Sequence, residues 1–314
     1  MGETVLVTGV YGFIGSHFAR LMTKSGYKVI GFGRDSDQRN KGRLCGACVH
    51  SVHGDMAGDI SGLVEDVDIV VNFAAKTFVD HSIKDPSSFV RSNILGTYNL
   101  LEQCRLYKPR LYIQISTDEV YGSILDGEYK EDAPLNPTNP YAATKAAGDM
   151  LALSYFNTYD LPVVVTRTEN NYGYYQHRQK VFPHFVRRAL ANEALPVYGD
   201  GGHSRMWLRV EDHCEAIKML VESNDTDTVG QIFHVAGSEE LTNLELADLI
   251  LKTLDKPRDR YRLVPDHDIR PGHDRRYALN SDKIRALGWE PVWSLEDGIV
   301  DVVNWYKDNS WWLI

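Results

Sequence analysis

The chain is poor in cysteine: four among 314 residues, too few for a disulfide scaffold. Cys45 and Cys48 form one C-x-x-C. A zinc ribbon needs a second pair, and Cys104 and Cys214 stand alone in helix-like segments. The cysteines therefore read as plain thiols of a reducing cytoplasm, with no metal site expected. A basic excess is also missing. Lys and Arg number 34 against 43 Asp and Glu, for a net charge of -9. Nucleic-acid binding normally uses a broad cationic surface, so no nucleic-acid partner is expected. An anionic ligand would need a local basic pocket. Long apolar runs are absent too: the longest, such as Asp68 to Ala75, fall far short of a bilayer span. The N-terminus enters a strand-like run without a cationic stretch or cleavage pattern, so no signal peptide is expected. Leu6 sits where a myristoylation signal places Ser or Thr.

A hydrophobic share of 43% and a charged share of 25% place the chain among globular proteins and exclude a disordered one. Short apolar runs alternate with amphipathic segments. Strands are expected at 4–8, 28–32, 48–53, 68–73, 110–116 and 162–166. Helices are expected at 13–25, 87–107 and 141–159. Several strand runs are apolar on both faces, as strands covered from both sides are. This pattern predicts an α/β fold: a Rossmann-type, doubly wound parallel sheet with right-handed crossovers. Beyond it, helices are expected at 180–192, 210–222, 243–254, 281–287 and 295–307, with 231–236 returning as one more strand. The division expected is a dinucleotide-binding domain of 1–166 with returning segments at about 206–237, interleaved with a smaller substrate domain of 167–205 and 238–314.

Gly9-Val-Tyr-Gly12-Phe-Ile-Gly15 follows the first strand and opens a helix. Glycines there permit the turn and let backbone N–H groups approach a pyrophosphate at the positive helix end. Asp55, after the third strand, is read either as an acceptor for an adenine amine or as a turn aspartate. The acidic residue that should end the second strand, for the ribose hydroxyl, is missing. Gly33 holds that place, followed by Arg34 and Asp35. Arg34 would favour a 2′-phosphate and Asp35 a free ribose, so NAD and NADP both stay open.

Tyr141-Ala-Ala-Thr-Lys145 starts a long helix, and positions i and i+4 share a face. Lys145 can thus bring its cation near the Tyr141 phenol and a cofactor ribose, favouring phenolate. The motif is common by chance. Combined with the glycine turn and with Ser116-Thr117 after a strand, it becomes specific.

With these residues in place, the chain resembles the extended short-chain dehydrogenase/reductases over nearly its whole length. More narrowly, it resembles the nucleoside-diphosphate-sugar 4,6-dehydratases. Four strings carry this: Ser116-Thr-Asp-Glu-Val-Tyr-Gly122, Asn170-Asn-Tyr-Gly173, Leu195-Pro-Val-Tyr-Gly-Asp-Gly201 and Arg270-Pro-Gly-His-Asp-Arg-Arg-Tyr-Ala278. The resemblance implies oxidation of a hexose at C4, loss of water across C5–C6 and hydride return to C6. It gives Tyr141 the 4-hydroxyl proton, with Lys145 supporting it and Thr117 bonding the same oxygen. Glu119 would remove the C5 proton and protonated Asp118 would protonate the departing 6-hydroxyl. It further implies a cofactor surface of Gly9, Gly12, Phe13, Ile14, Gly15, Arg34, Asp35, Asp55, Met56, Ala74, Ala75, Asn93, Ser116, Tyr141 and Lys145. Substrate contacts are implied for Thr77, Asn170, Asn171, Lys180, Val197, Tyr198, Arg205, Arg270 and His273, with Arg275 or Arg276 near the diphosphate. Members pair two long helices into a homodimer, and 87–107 and 141–159 carry apolar residues on more than one face. The alternative cover for those helices is the C-terminal tail, with Trp305, Trp311 and Trp312.

Where the family carries Ala-Ala-Glu-Ser-His-Val-Asp-Arg-Ser, this chain has Ala74-Ala-Lys-Thr-Phe-Val-Asp-His-Ser82, and its Arg-Asp-Trp becomes Arg205-Met-Trp207. Arg167 and Glu169 also stand out in their loop. These departures leave the base and sugar open, and related sugar-nucleotide activities, such as 5,6-dehydration, 4-epimerisation or decarboxylation, remain alternatives. A dinucleotide-sensing regulator has no use for Tyr141, Lys145 and the Asp118-Glu119 pair together.

Overall fold

The structure is a computed structural model that describes residues 2–34, 42–223, 226–265 and 274–314. Strands β1 (Thr4–Thr8), β2 (Lys28–Gly33), β3 (Val49–His53), β4 (Ile69–Asn72), β5 (Leu111–Ile115) and β6 (Val163–Thr168) lie parallel in one sheet. The strand at Ile232–Val235, β10 in chain order, joins β6 and completes seven strands in the order β10-β6-β5-β4-β1-β2-β3. The order reverses between β1 and β4, which opens a crevice at the strands' carboxyl ends.

The doubly apolar runs do what their pattern demands. Val5 and Val7 of β1 point to one layer, where they meet Phe18 and Met22 of α1 (Phe13–Lys24) and Ile217 and Leu220 of a helix at Val210–Glu222. Leu6 points to the other, where it meets Leu100 and Leu101 of α2 (Gly96–Tyr107) and Ala152 and Tyr155 of α3 (Pro140–Tyr159). Each such large apolar side chain contributes about 1.5–3 kcal/mol by leaving water.

The helix expected at 87–107 is broken. An α-turn at Pro86–Phe89 passes into a π-helical turn at Val90–Leu95 before α2 begins. A π turn inserts an extra residue and re-aims its side chains. Here it turns Asn93 inward, and Gly96 follows where a Cβ would lie 2.9 Å from that of Met56.

The C-terminal part builds a second core around α4 (Val181–Leu190), a helix at Asn243–Thr253 and one at Leu295–Asp308. Six short strands there were not anticipated: β7 (Asn170–Tyr172), β8 (Leu195–Tyr198), β9 (Ser204–Arg209), β11 (Glu240–Thr242), β12 (Tyr261–Val264) and β13 (Arg276–Tyr277). At two to six residues they show too little period to read. Strand β9 pairs with β7, β11 and β13. The Val210–Glu222 helix, which packs on the main sheet, follows β9 directly. No described helix is long and apolar enough to cross a membrane.

Candidate active site

At the crevice, β1 runs into the glycine turn. Gly9 has φ +65°, and a Cβ on it would lie 2.8 Å from the Ala74 amide nitrogen. A Cβ on Gly15 would lie 2.6 Å from the Gly9 carbonyl oxygen. Only glycine fits either place, so the turn packs flat between β1 and the segment after β4. Gly12 caps α1 without a side-chain hydrogen bond, so the first N–H groups stay available to an anion. Phe13 and Ile14 are part-exposed on the first turn, as are Ala74 and Ala75 just after β4, where the Ala74 backbone abuts Gly9. These residues fit a dinucleotide pyrophosphate.

Farther out, the Asp55 carboxylate accepts the Ala57 N–H at 3.1 Å and lies 3.9 Å from the Arg91 guanidinium. It acts as a turn aspartate and still presents one oxygen outward. Met56 is buried beside it. Arg34 is exposed at the end of β2. Asp35 lies outside the described residues. Asn93 is spent on the protein: its oxygen accepts the Lys76 N–H at 2.8 Å, and its amide donates to the Lys76 carbonyl and the Thr144 hydroxyl. It braces the wall of the site from behind.

The chemical groups gather where β5 ends. Ser116, Thr117 and Asp118 are buried, and Glu119 is part-buried in the 3-10 turn Asp118–Tyr121. The Thr117 hydroxyl donates to Asp118 at 2.9 Å and accepts the Glu119 N–H at 3.3 Å. Helix α3 delivers Tyr141 and Lys145 to the same place. Burial, then the neighbouring Glu119, pushes the Asp118 carboxyl up to about 7. Burial also raises Glu119, opposed by the Asn139 amide and by the Lys180 and Arg205 cations. The pair thus has unlike surroundings, as opposed proton duties require. Burial raises the Tyr141 phenol, with Glu119 adding and the Thr117 hydroxyl opposing. Burial brings the Lys145 ammonium down to about 8. The expected pull of Lys145 is not among the leading influences on the phenol; Lys145 Nζ donates to the Ile115 carbonyl at 2.5 Å.

Asn139 escaped the sequence reading. Its oxygen caps α3 by accepting the Ala142 N–H at 2.9 Å, and its amide donates to Glu119 at 3.2 Å. The signal was Asn139-Pro140, a cap residue followed by proline at the first helical position.

At the sugar-nucleotide end, the asparagines separate. Asn171 is buried, with its oxygen on His213 Nδ1 at 2.9 Å and its amide on Thr168 and the Glu169 carbonyl. It is a strut, whereas Asn170 is part-exposed. Lys180 spans the mouth, donating to the Thr77 carbonyl at 3.0 Å with its charge 4.6 Å from the Phe78 ring centre. Thr77 itself is exposed. Val197 does not line the site: its side chain is fully buried in the second core, because alternate residues of β8 face inward. Tyr198, next along, is part-exposed. Arg205 donates to the Ser204 and Asp274 carbonyls and covers the Tyr277 ring at 4.4 Å. Arg275 pairs with Asp200 at 2.6 Å and Arg276 with Glu240 at 2.9 Å. Arg270 and His273 lie outside the described residues. Glu169 is buried, accepting the Leu279 N–H at 3.0 Å, and burial raises its carboxyl strongly. Among the described residues no cluster of three His, Cys, Asp or Glu side chains is placed to hold a metal.

Known proteins share this sequence pattern and this fold. The profile of the family described as GDP-mannose 4,6 dehydratase matches residues 6–302. The low-salt glycan biosynthesis protein Agl12 of Haloferax volcanii is 44% identical, covering 98% of this chain and 99% of its own. A dTDP-glucose 4,6-dehydratase of Streptomyces niveus is also 44% identical, over 98% of this chain and 94% of its own. The structure of DesIV, a dTDP-glucose 4,6-dehydratase from Streptomyces venezuelae with NAD and TYD bound, superposes with a TM-score of 0.92 at 39% identity, covering 99% and 98% of the two chains. The UDP-glucuronic acid 4-epimerase of Bacillus cereus shares the fold at a TM-score of 0.92 and 27% identity, over 98% of this chain and all of its own. The chain belongs to the GDP-mannose 4,6-dehydratase family of extended short-chain dehydrogenase/reductases.

Proposed function

We propose that this protein is a nucleoside-diphosphate-hexose 4,6-dehydratase, forming a 4-keto-6-deoxy sugar by an internal, redox-neutral route. The observation that carries the reading is the convergence of Thr117, Asp118, Glu119, Tyr141 and Lys145 at one strand end. When bound, NAD supplies the acceptor and donor of the hydride; the flat glycine turn and the uncapped N-terminus of α1 suit its pyrophosphate. Relatives solved with NAD favour it over NADP.

Burial alone would keep the Tyr141 phenol protonated; with the positive charge of a bound nicotinamide opposing that, Tyr141 takes the proton of the 4-hydroxyl, and Thr117 bonds the same oxygen. The resulting 4-ketone acidifies the C5 hydrogen. Glu119, steered by Asn139, removes that hydrogen. Asp118, whose carboxyl keeps a proton near neutrality, gives it to the departing 6-hydroxyl. A proton then returns to C5 as the hydride returns to C6. Residues 1–166 with the returning segment serve the dinucleotide, and the remainder holds the sugar nucleotide. Of the contacts expected there, Asn170, Lys180, Tyr198 and Arg205 suit the site better than Asn171 and Val197.

The protein works as a homodimer. Val90, Leu95, Tyr98 and Met150 are exposed along the faces of the 90–107 segment and α3. Of the tail residues that could cover them, Trp305 and Trp312 pack into the second core and Trp311 is exposed. Free thiols at Cys45 and Cys48 suit a reducing cytoplasm. Incubation with a panel of nucleotide hexoses tests the activity. Loss of one water with a new C6 methyl, seen by mass spectrometry and NMR, supports it. A C4 epimer or an exocyclic alkene as the product overturns it.

A further inference from the structure

Beneath the reacting groups lies a buried ion pair that the mechanism above does not use. Asp149 follows Lys145 by one turn of α3 and is wholly buried; Arg167, on β6, is 2% exposed. Arg167 Nε meets Asp149 Oδ2 at 3.0 Å. Nη1 donates to the Tyr121 hydroxyl, and the guanidinium covers the Tyr121 ring at 4.8 Å. Tyr121 in turn meets His234 Nε2 at 2.7 Å, and His234 Nδ1 meets the Asn280 carbonyl at 2.9 Å. The arginine is thereby fixed at both ends. Asp149 Oδ1 is buried and has only the Ser116 hydroxyl to lean on, a neutral group.

A carboxylate buried this completely is costly even with a hydroxyl beside it. It needs a reason, and a cation lies one turn away on the same helix face. Lys145 is itself buried and gives its ammonium to the Ile115 carbonyl rather than to an acid. We propose that Asp149 is a positioning residue for the reaction: clamped by Arg167, it is the fixed counter-charge of the Lys145 ammonium. The proposal rests on the role given above to Lys145. Its logic is electrostatic preorganisation, since neither charge has to move during turnover.

The groups facing Asp149 are Arg167 from β6, the Ser116 hydroxyl after β5, Tyr112 from β5, Tyr121 from the 3-10 turn, and Lys145 and Tyr141 from its own helix. Burial lowers Lys145, and Asp149 is the charge that opposes this. Arg167 opposes the burial that raises Asp149.

The test is a titration of Lys145 in the holoenzyme, followed by the chemical shift of its ¹³Cε and assigned with Lys145→Met. Asp149→Asn should move the midpoint down by about one pH unit or more. Asp149→Glu keeps the charge and should hold the midpoint. Should Asp149→Asn not fold, Asp149→Asn with Arg167→Gln removes both charges together, which buried pairs tolerate better than loss of one. It too should lower the midpoint, by less. An unmoved midpoint in either folded variant overturns the proposal and leaves the pair a structural brace. A separate arm mixes Lys145→Met holoenzyme with dTDP-glucose and watches nicotinamide absorbance. Retained hydride transfer there would overturn the role of Lys145 itself, whatever the titration shows.

Discussion

Asn139 and Glu119 are joined by a 3.2 Å hydrogen bond, and the same asparagine caps the helix that carries Tyr141 and Lys145. One side chain therefore sets the start of the helix and the aim of a carboxylate on a different element. The two jobs use different atoms, so substitution separates them.

Asn139→Asp keeps the capping oxygen, so at acidic pH, where the new carboxyl can hold a proton beside Glu119, its melting temperature should stay near the parent's. It replaces a donor with an acceptor beside Glu119, so elimination should slow at least tenfold. Asn139→Ala loses both functions and should also cost about 1 kcal/mol of stability. Thermal melts and product formation on the same samples check the pair.

Glu119→Gln keeps shape but removes the base. On mixing with substrate, reduced nicotinamide should accumulate, because the C5 proton stays in place. Asp118→Asn should also spare the first hydride transfer and slow departure of the 6-hydroxyl. A 6-fluoro substrate, whose leaving group needs less protonation, should partly restore Asp118→Asn but not Glu119→Gln. If both variants lose the initial absorbance change, the carboxylates only position the sugar.

Asp118 should also cost stability as pH rises. Its folded-state carboxyl, at about 7, holds a proton that the unfolded chain releases near the ordinary value of about 3.9. The folded state then binds more protons between those values, so stability falls with rising pH across that window and levels off above it. Asp118→Asn should therefore melt with the parent at about pH 4 and above it at about pH 8, by a few kcal/mol at most. Melts at the two pH values decide this; equal shifts at both would show that Asp118 ionises freely.

The exposed apolar face on the 90–107 segment and α3 gives a solution test. The parent should scatter light as a dimer at micromolar concentration. Leu95→Lys with Met150→Lys places cations in that face and should yield a monomer with unchanged far-ultraviolet circular dichroism. A parent monomer rejects the dimer.

Much of the main sheet was determined by local order along the chain. Strand β1 runs over Thr4–Thr8 and a helix over Val210–Glu222, as their patterning predicts. Side chains that alternate against a two-sided core, or repeat on one helix face, record their surroundings in the sequence. The glycine turn and the spacing of Tyr141 and Lys145 are legible for the same reason: the chemistry needs neighbours in sequence. Tertiary structure decided what depends on pairing across the chain. It made Asn171 a strut by setting His213 against it, 42 residues away. It placed Arg205 against carbonyls at Asp274 and Arg275, and it turned Val197 into a core. It broke the 87–107 helix with a π turn so that Asn93 could brace Lys76. It also set Arg167 on Asp149, a buried pair 18 residues apart. Short strands and single polar contacts carry no period, and their partners are fixed only when the two cores close on each other.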